Sequence, residues 1–294
     1  MHKVAFIILH YETLDDTIEC VESILSTNTY PVSEIVIVDN GSKNKSGKSL
    51  EKKYKENNQV HVLLNSKNLG FSKGNNIGYL YAKETLKSDF IIIINNDTLI
   101  RQHDFIPRII NRYNLRKYDV LGPDILSLKT GSHQNPRIEV LNTIEVIRQH
   151  MRYFRICLFL NYFFLDAPIL RLKKAFLPKS RLPSANNEFI NPDNIEMEQV
   201  KLHGSAIAFS PDYVKKYDSA FYPETFLYCE ESILYHIVQK AGLISVYYPD
   251  AQIIHKEDVT SDYLNKKELM KRRFYLKHNL DSLKVLLKLK MHSK

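Results

Sequence analysis

A run of four isoleucines that ends on a carboxylate is the feature that most constrains the fold of this chain. Residues 90–97 read Phe-Ile-Ile-Ile-Ile-Asn-Asn-Asp, which predicts a strand over 90–94. So uniformly apolar a strand is typical of the interior of a parallel sheet, covered on both faces. Such sheets bind ligands at the carboxyl ends of their strands, so Asp97 is predicted to lie at a site. An ordinary strand followed by a turn is the alternative, because Asn and Asp are common in turns.

A second predicted strand ends in the same way. Residues 34–42 read Glu-Ile-Val-Ile-Val-Asp-Asn-Gly-Ser, a short β-branched run that ends at Asp39. The Asn-Gly pair that follows allows the backbone to turn sharply. We therefore expect a second carboxylate at the same edge of the sheet as Asp97.

Strands and helices alternate from residue 1 to about 125. The apolar patterns predict strands at 4–9, 34–38, 60–64 and 90–94 and helices near 13–27, 73–87 and 103–115. This order implies right-handed βαβ crossovers and an α/β fold with a mixed, mostly parallel sheet and helices on both faces. Regularity returns later with a strand at 203–210, a helix near 230–242 and a strand at 244–248.

Two stretches depart from this alternation. Residues 130–200 contain five prolines among basic and aromatic residues, which predicts a helical insertion. Residues 262–290 predict one or two basic helices, with leucines of 280–287 on a broad apolar face.

Charge is concentrated in two segments. The chain has a net charge of +8; residues 148–185 carry eight basic side chains and one acidic, and residues 262–294 carry ten and three, so each segment has a net charge of +7. Because both are also rich in leucine or aromatic residues, we expect them to dock on an anionic membrane surface rather than on nucleic acid. Ordinary solvated faces are the alternative.

Cysteine content and hydropathy indicate the cellular setting. Three widely spaced cysteines form no metal-ligand pattern, which favours reduced thiols in the cytoplasm. The apolar stretch 4–9 is too short for a signal peptide. We expect no transmembrane helix. The expected location is therefore cytoplasmic, peripherally associated with the inner face of the cell membrane.

A loop rich in glycine and asparagine follows the strand at 60–64 and opens the next helix. Gly70, Gly74 and Gly78 permit close approach of the backbone. Free amides at the helix start, with Lys73 beside them, would suit a diphosphate. The glycine spacing is not that of a dinucleotide fingerprint. A purely structural loop stays open as the alternative.

Together these motifs resemble the family 2 glycosyltransferases, in particular the rhamnosyltransferase-like branch. The residues that carry the resemblance are Val-Asp-Asn-Gly-Ser (38–42), Asn-Leu-Gly-Phe-Ser-Lys-Gly-Asn-Asn-Ile-Gly (68–78), Asn-Asn-Asp (95–97), Phe-Tyr-Pro-Glu-Thr-Phe-Leu-Tyr-Cys-Glu-Glu (221–231) and Ile-His (254–255) with Thr-Ser (260–261). The resemblance covers roughly residues 1–260, apart from 130–200. It implies a GT-A fold, a dTDP-, UDP- or GDP-sugar donor and inversion at the anomeric carbon.

The resemblance also implies a divalent cation, Mg²⁺ or Mn²⁺. Asp97 matches the family's metal carboxylate, and such ions bind through one or two protein carboxylates plus substrate phosphates. Asn96 stands where the family often has Asp. His255 is expected to be a second metal ligand or to donate to phosphate; a hydrogen-bonded structural histidine is the alternative.

Donor binding is assigned by the same resemblance. Asp39 is expected to accept hydrogen bonds from the base or ribose, and backbone groups at His10, Tyr11 and Glu12 are expected to line the nucleotide pocket. The other candidates are Asn68, Gly70, Lys73, Asn75 and Asn96.

A general base is needed for an inverting transfer. Glu231 occupies the position of the family's Asp in the 221–231 block, and Glu230 is the fallback. Adjacent carboxylates at a helix start also complement the helix dipole, which is the structural alternative.

These assignments divide the chain into a GT-A domain, 1–261, and a basic amphipathic C-terminal segment, 262–294. Within the domain we distinguish a nucleotide-binding half (1–125), the insertion (130–200) and an acceptor-side half (201–261). The predicted function is transfer of a sugar to a hydroxyl of a glycan or lipid-linked acceptor in bacterial capsule, O-antigen or cell-wall polysaccharide synthesis, with rhamnosyl transfer the leading case. A nucleotidyltransferase and a non-catalytic nucleotide-sugar binder are the competing functions, and a homodimer stays open.

Overall fold

A computed structural model describes residues 1–27, 29–31, 33–165, 194–257 and 268–292. Its strands are β1 (Val4–His10), β2 (Ser33–Asp39), β3 (Val60–Leu64), β4 (Phe90–Asn95), β5 (Thr98–Leu99), β6 (Val120–Ser127), β7 (Met197–Glu198), β8 (Ala206–Phe209) and β9 (Ser245–His255). Its helices are α1 (Leu14–Thr27), α2 (Ser46–Tyr54), α3 (Phe71–Glu84), α4 (Phe105–Leu115), α5 (Ile144–Tyr162), α6 (Pro211–Lys216), α7 (Glu230–Lys240) and α8 (Glu268–Met291).

The described strands form one sheet in the order β3-β2-β1-β4-β8-β6-β9-β5, with β7 paired to β9. Strands β1 to β4 are parallel to one another, and β8 runs antiparallel between β4 and β6. Because β6 and β9 are parallel to each other and both antiparallel to β8 in direction, their carboxyl ends lie at the same edge as that of β4. The predicted mixed, mostly parallel α/β sheet is confirmed.

The isoleucine run lies in the interior of the sheet, as predicted. Ile92 and Ile94 pack into a hydrophobic cluster with α1 and α4 on one face. Ile91 and Ile93 pack into a second cluster with α3, α6 and α7 on the other. Successive side chains of a strand point to opposite faces, so burial on both faces requires an unbroken apolar run.

Two elements differ from the sequence expectations. Helix α2 was not predicted, because Leu50 and Tyr54 are its only apolar residues and two positions do not make a recognisable helical pattern. Strand β9 continues to His255, well past the predicted end at 248, although Pro249 and Asp250 interrupt its apolar pattern. A register shift between Pro123 and Asp124 of β6 accommodates this irregular stretch.

The insertion is helical where it is described, and it returns to the sheet. Helix α5 begins with Thr143 as its N-cap, whose hydroxyl accepts from the Val146 amide. Strand β7 then pairs with β9. This strand was not predicted, because residues 130–200 show no alternating β pattern. Residues 166–193, with four of the five prolines and most of the basic side chains of the insertion, lie outside the described residues.

The C-terminal segment forms a single helix over its described part, and its leucines are buried within the protein. Leu283 and Leu286 of α8 pack in a third cluster with Ile147 of α5 and Ile233 of α7. The expectation that these leucines favour membrane docking is therefore wrong, because they pack against protein. None of the described helices is both long and apolar enough to cross a membrane.

Candidate functional site

The carboxyl ends of the strands bring the predicted polar residues to one edge of the sheet. Asp39 at the end of β2 lies opposite His10 at the end of β1. Strand β4 ends at Asn95, next to the end of β1. We call the ends of β1, β2 and β3 the first rim, and the ends of β4 and β9 with the loop before β8 the second rim.

Asp97 and His255 meet at the second rim. His255 is the last residue of β9 and pairs with Thr98 of β5. The Lys256 amide donates to the Asp97 carbonyl at 2.9 Å, which holds the two chain segments together. His255 Nε2 lies 3.3 Å from Asp97 Oδ1, and both side chains are about nine-tenths buried. The sequence motifs at 95–97 and 254–255 are thus adjacent in space.

The Asp97–His255 pair fits a divalent cation with two protein ligands. Asp97 Oδ1 is buried and has no hydrogen-bond partner among the described residues. Two ligands in neighbouring positions of an octahedral ion, each about 2.1 Å from the metal, lie roughly 3 Å apart. The described part of the chain holds no cluster of three or more metal-binding side chains. Substrate oxygens would therefore complete the coordination.

Glu231 also lies at the second rim, in the first turn of α7. Two consecutive left-handed residues, Tyr228 (φ 74°) and Cys229 (φ 62°), turn the chain into this helix. Glu231 Oε1 accepts from the Gly204 amide at 2.6 Å. Glu231 Oε2 lies 3.9 Å from the Arg137 guanidinium. The carboxylate is a quarter exposed, so it is held in place and still accessible.

Glu230, the adjacent carboxyl, has a different environment. It is buried, and its Oε1 has no hydrogen-bond partner among the described residues. Burial raises the pKa of Glu230 to about 8. At neutral pH it is therefore mostly protonated and enclosed, which favours Glu231 over Glu230 as a proton acceptor.

His203 lies between Glu231 and His255, and sequence reasoning missed it. Its ring is 5.7 Å from the His255 ring, and its Nδ1 is 3.9 Å from Glu231 Oε1. Burial holds the pKa of His203 well below its usual value, so the ring is neutral. The Ser205 amide donates to Nδ1. The available signal was a histidine directly before the Gly-Ser of a small-residue strand.

At the first rim, Asp39 is held by close contacts. Its Oδ1 accepts from the Ser42 amide at 3.2 Å and the Ser42 hydroxyl at 2.5 Å. A Cβ added at Gly47 would lie 2.2 Å from Asp39 Oδ2, so only glycine leaves room for this carboxylate. Burial raises the pKa of Asp39, and the Ser42 hydrogen bonds oppose that rise.

The backbone groups expected to line the nucleotide pocket are already bonded. The His10 carbonyl accepts from the Asn40 amide, and the Tyr11 carbonyl accepts from the Thr13 amide. The Glu12 amide donates to the Ser42 hydroxyl. These hydrogen bonds fix the backbone at 10–12, and its place in a nucleotide pocket stays a prediction.

Side chains at this point of the chain divide into buried and accessible ones. The buried His10 ring lies between Thr17 and Ser46, in contact with both hydroxyls. Tyr11 is partly exposed and shares a hydrogen bond with the Asn68 side chain. Tyr11 is therefore the first-strand side chain best placed to meet a ligand.

The Gly/Asn-rich loop is packed against the 221–229 segment. Gly70 has φ +83°, and an added Cβ would lie 2.3 Å from the Phe226 carbonyl oxygen. The Phe71 amide donates to that carbonyl at 2.7 Å. The expected free amide for a diphosphate is therefore absent at Phe71, because the neighbouring chain segment caps the helix.

The asparagines of the loop bond largely within the loop, although Asn75 Oδ1 is buried without a hydrogen-bond partner among the described residues. Asn68 Oδ1 accepts from the Gly70 amide and from Asn40 Nδ2. Asn75 is buried, and its Nδ2 donates to the Phe71 carbonyl. Lys73 is exposed on the first turn of α3. Of the loop candidates, Lys73 is the one that projects into solvent.

Asn96 joins β4 to α1. Its Nδ2 donates to the hydroxyls of Thr13 at 2.6 Å and Thr17 at 3.0 Å, and the side chain is buried. An amide can donate to both hydroxyls, whereas an ionised carboxylate at this position could only accept from them. The Asn96 amide group is therefore engaged within the protein.

Sequence comparison identifies a family. A profile of the family described as glycosyl transferase family 2 matches residues 5–171, more than half of the chain. The match extends into the 130–171 stretch that the sequence motifs left out, and the motifs at 221–231 and 254–261 lie beyond it.

Individual relatives are more distant. Glycosyltransferase GlyG of Streptococcus pneumoniae is 30% identical over 34% of this chain and 32% of its own length. The low-salt glycan biosynthesis hexosyltransferase Agl10 of Haloferax volcanii is 27% identical over 43% of this chain and 38% of its own length. The matched region thus spans about a third of the length of these curated relatives.

Solved structures share the fold. Residues 1–349 of S. aureus TarS superpose with a TM-score of 0.54 at 15% identity, covering 93% of this chain and 65% of TarS. The same protein in complex with UDP-GlcNAc gives a TM-score of 0.54 at 13% identity, covering 91% and 60%. These values establish a shared GT-A-like architecture.

Proposed function

This chain belongs to glycosyl transferase family 2, and on that premise we propose that it transfers a sugar from a nucleotide-sugar donor to a hydroxyl of a glycan or lipid-linked acceptor. The observation that carries the proposal is the second rim. There His255 Nε2 lies 3.3 Å from Asp97 Oδ1, a buried oxygen with no hydrogen-bond partner among the described residues. Glu231, a partly exposed carboxylate, is held at the same rim by the Gly204 amide.

The proposed reaction assigns a role to each of these groups. Asp97 and His255 would hold Mg²⁺ or Mn²⁺, which when bound neutralises charge on the departing nucleoside diphosphate. Glu231 accepts the proton of the acceptor hydroxyl as that oxygen bonds to the anomeric carbon. The bond from the anomeric carbon to the diphosphate breaks, and its electron pair leaves with the diphosphate. Attack on the opposite face inverts the configuration.

For the donor, we propose a UDP-sugar first. The solved structures of similar fold include TarS in complex with UDP and with UDP-GlcNAc. The first rim offers Asp39 and Tyr11 as groups for the base and ribose. Hexosyl and deoxyhexosyl donors on dTDP and GDP, rhamnosyl among them, belong in the same test. The proposed setting is assembly of a cell-surface glycan.

The test is a thermal-shift panel of nucleotide sugars with and without Mn²⁺, followed by assay of the released products. A donor that binds the folded state raises its apparent stability by mass action. We expect a metal-dependent shift with one donor class, and slow release of its nucleoside diphosphate. Asp97→Ala should lose the metal-dependent part of the shift, whereas Asp104→Ala, which removes an exposed carboxylate, should keep it.

Other outcomes of this assay identify the competing functions. A shift without turnover, with or without acceptor, would indicate a nucleotide-sugar binder. Release of pyrophosphate from a nucleoside triphosphate would indicate a nucleotidyltransferase. Either result overturns the proposed transfer.

We further propose that an exposed surface of α5 docks on an anionic membrane. This α5 patch combines large apolar side chains with arginines; its members are Arg152, Tyr153, Arg155, Ile156, Phe159, Tyr162 and Phe163. Ile156 and Phe159 are 60% and 61% exposed. Such a pairing of apolar area and positive charge is typical of peripheral membrane helices.

Vesicle binding tests the α5 patch. Wild-type protein should co-sediment with phosphatidylglycerol-containing vesicles at low salt, and the double variant Ile156→Ser/Phe159→Ser should not. Leu115→Ser is the matched control, because Leu115 is 86% exposed at the end of α4, outside the patch. Equal binding by all three proteins would contradict the proposal.

A further inference from the structure

We propose that Gln134 and Glu257 are positioning residues that fix the tautomer of His255, so that its Nε2 lone pair faces Asp97 and a bound cation. Neither residue belongs to the sequence motifs of the site. The inference rests on the proposed function in that it takes Asp97 and His255 as the metal ligands. It adds the reason why this histidine presents the correct nitrogen.

The three side chains form a directed chain of hydrogen bonds. Gln134 Nε2 lies 2.6 Å from Glu257 Oε1, and Gln134 Oε1 lies 2.7 Å from His255 Nδ1. An ionised carboxylate can only accept, so the nitrogen of the Gln134 amide must face Glu257. The amide oxygen, which can also only accept, then faces His255. His255 Nδ1 must therefore carry a proton.

A neutral ring protonated at Nδ1 has a bare lone pair at Nε2. That lone pair lies 3.3 Å from Asp97 Oδ1, which itself has no hydrogen-bond partner among the described residues. Two buried acceptors that face each other are unfavourable unless a positive charge lies between them. A divalent cation satisfies both, and a hydrogen bond at the far nitrogen is the usual way in which proteins orient a metal-binding histidine.

Gln134 and Glu257 are themselves held in place. The backbone N–H of Gln134 donates to the Ile125 carbonyl of β6 at 2.8 Å. This bond anchors the residue beside β6, the strand that pairs with β9. Glu257, two residues after the end of β9, has a left-handed backbone conformation with φ +65°. A left-handed backbone at a non-glycine residue is uncommon and often marks a functional constraint.

The first measurement reads the tautomer without any metal. Histidine-selective ¹⁵N NMR of the metal-free protein at pH 8 distinguishes a protonated from an unprotonated ring nitrogen, and His255→Ala identifies the signal. We expect Nδ1–H in the wild type. Gln134→Leu should shift the ring toward Nε2–H, because Asp97 Oδ1 then offers the remaining acceptor. An Nε2–H ring or an imidazolium in the wild type would overturn the proposal.

The second measurement is the affinity for Mn²⁺ alone, which is determined from the electron paramagnetic resonance signal of the free ion. Loss of an orienting partner typically weakens metal binding 10–100-fold, so we expect that loss for Gln134→Leu and Glu257→Leu. Glu257→Gln keeps an acceptor for the Gln134 amide and should restore most of the affinity. Gln239→Leu, on α7 with Tyr235 as its partner, is the matched control and should bind as the wild type does.

The outcomes separate this inference from the proposed function. If Asp97→Ala binds Mn²⁺ as tightly as the wild type, the metal site itself is wrong. If Asp97→Ala loses Mn²⁺ while Gln134→Leu and Glu257→Leu change neither the tautomer nor the affinity, the positioning role alone is wrong. Two separate variants keep the test decisive if one of them does not fold.

Discussion

The two rims differ in the chemistry of the polar groups that the protein leaves unsatisfied. At the first rim, Asn40 donates to Asn68 and to the Gly70 carbonyl and accepts from the Leu69 amide, so its polar atoms bond within the protein. At the second rim, two carboxyl oxygens, Asp97 Oδ1 and Glu230 Oε1, are buried without hydrogen-bond partners among the described residues; near the first rim the atoms in this state are amide atoms, Asn65 Nδ2 and Asn75 Oδ1. Buried polar groups are normally satisfied, so an orphaned atom indicates a missing ligand or a special role.

This difference shows that a polar residue at a strand end is weak evidence of function by itself. His10, Asn68 and Asn96 lie near the strand ends, as expected, but their side-chain hydrogen bonds connect segments of the protein itself. The carboxyls that are unsatisfied or partly exposed are therefore the stronger candidates for a role in the reaction. In the proposed function, the first rim binds the donor nucleotide and the second rim carries the reaction.

The largest effect is expected for Glu231→Gln. A general base contributes about 10²- to 10⁴-fold, so transfer should fall by that factor while donor and Mn²⁺ binding stay unchanged. Single-turnover kinetics with the best donor measure the change. The matched variant Glu230→Gln should retain transfer at neutral pH, where Glu230 is already mostly protonated. Normal transfer by Glu231→Gln would assign the base to another group.

Glu230→Gln should instead change the pH dependence of stability. Burial raises the pKa of Glu230 from its ordinary value of 4.5 to about 8 in the folded protein. Between these values the unfolded chain has released the proton and the folded chain still holds it, so the free energy of unfolding falls as pH rises through this window. At about 1.4 kcal/mol per pH unit, the variant should gain up to about 4 kcal/mol over the wild type by pH 8.5.

Thermal or urea unfolding of both proteins from pH 4.5 to 8.5 measures this gain. The difference between the two curves isolates Glu230 from the other titrating groups. A constant difference across the range would show that Glu230 is ionised in the folded protein, and its proposed contrast with Glu231 would be lost.

Asn40→Ala tests the structural role of the first rim. It removes the acceptor of the Leu69 amide and the donor to the Gly70 carbonyl, so we expect a loss of about 1–3 kcal/mol in the free energy of unfolding. Asn58→Ala, at an exposed position, should stay within about 0.5 kcal/mol of the wild type. Unchanged stability for Asn40→Ala would contradict the structural reading of this rim.

Gly47→Ala gives the smallest expected effect and separates the rims most finely. The new Cβ would meet Asp39 Oδ2 at 2.2 Å, so the carboxylate must move. We expect roughly tenfold weaker binding of the nucleoside diphosphate, equivalent to about 1.4 kcal/mol, with Mn²⁺ affinity unchanged. Isothermal titration measures both. Ser49→Ala, at an exposed position of the same helix, is the control, and equal affinity in the two variants would argue against a donor contact by Asp39.

Patterns local in sequence predicted the framework well. The isoleucine run of β4 and the β-branched run of β2 are buried on both faces, and such strands are recognisable because their composition alone decides their place. Helix α2 was not predicted because it contributes only Leu50 and Tyr54 to the core. Strand β9 was cut short because pairing with β6, not its own composition, carries it past Pro249.

The site was harder to predict than the framework. Asp97, Glu231 and His255 were found through motifs, but Gln134 and His203 were not, because their importance arises from neighbours more than 25 positions away in the chain. Hydrogen-bond partners depend on tertiary packing, so the engagement of Asn96 with Thr13 and of Phe71 with Phe226 could not be read from spacing.

The third hydrophobic cluster gives the C-terminal helix a mechanical connection to the chemistry. Helix α7 begins at the two glutamates, and three residues later Ile233 packs among the leucines of α8. Elements that share one core tend to open together as a local unfolding unit. A shortened chain that lacks α8 would therefore release the helix that presents Glu231, and hydrogen exchange should detect faster opening at residues 230–240. The basic helix α8 thus packs against α7 and supports the helix that carries the proposed base, Glu231.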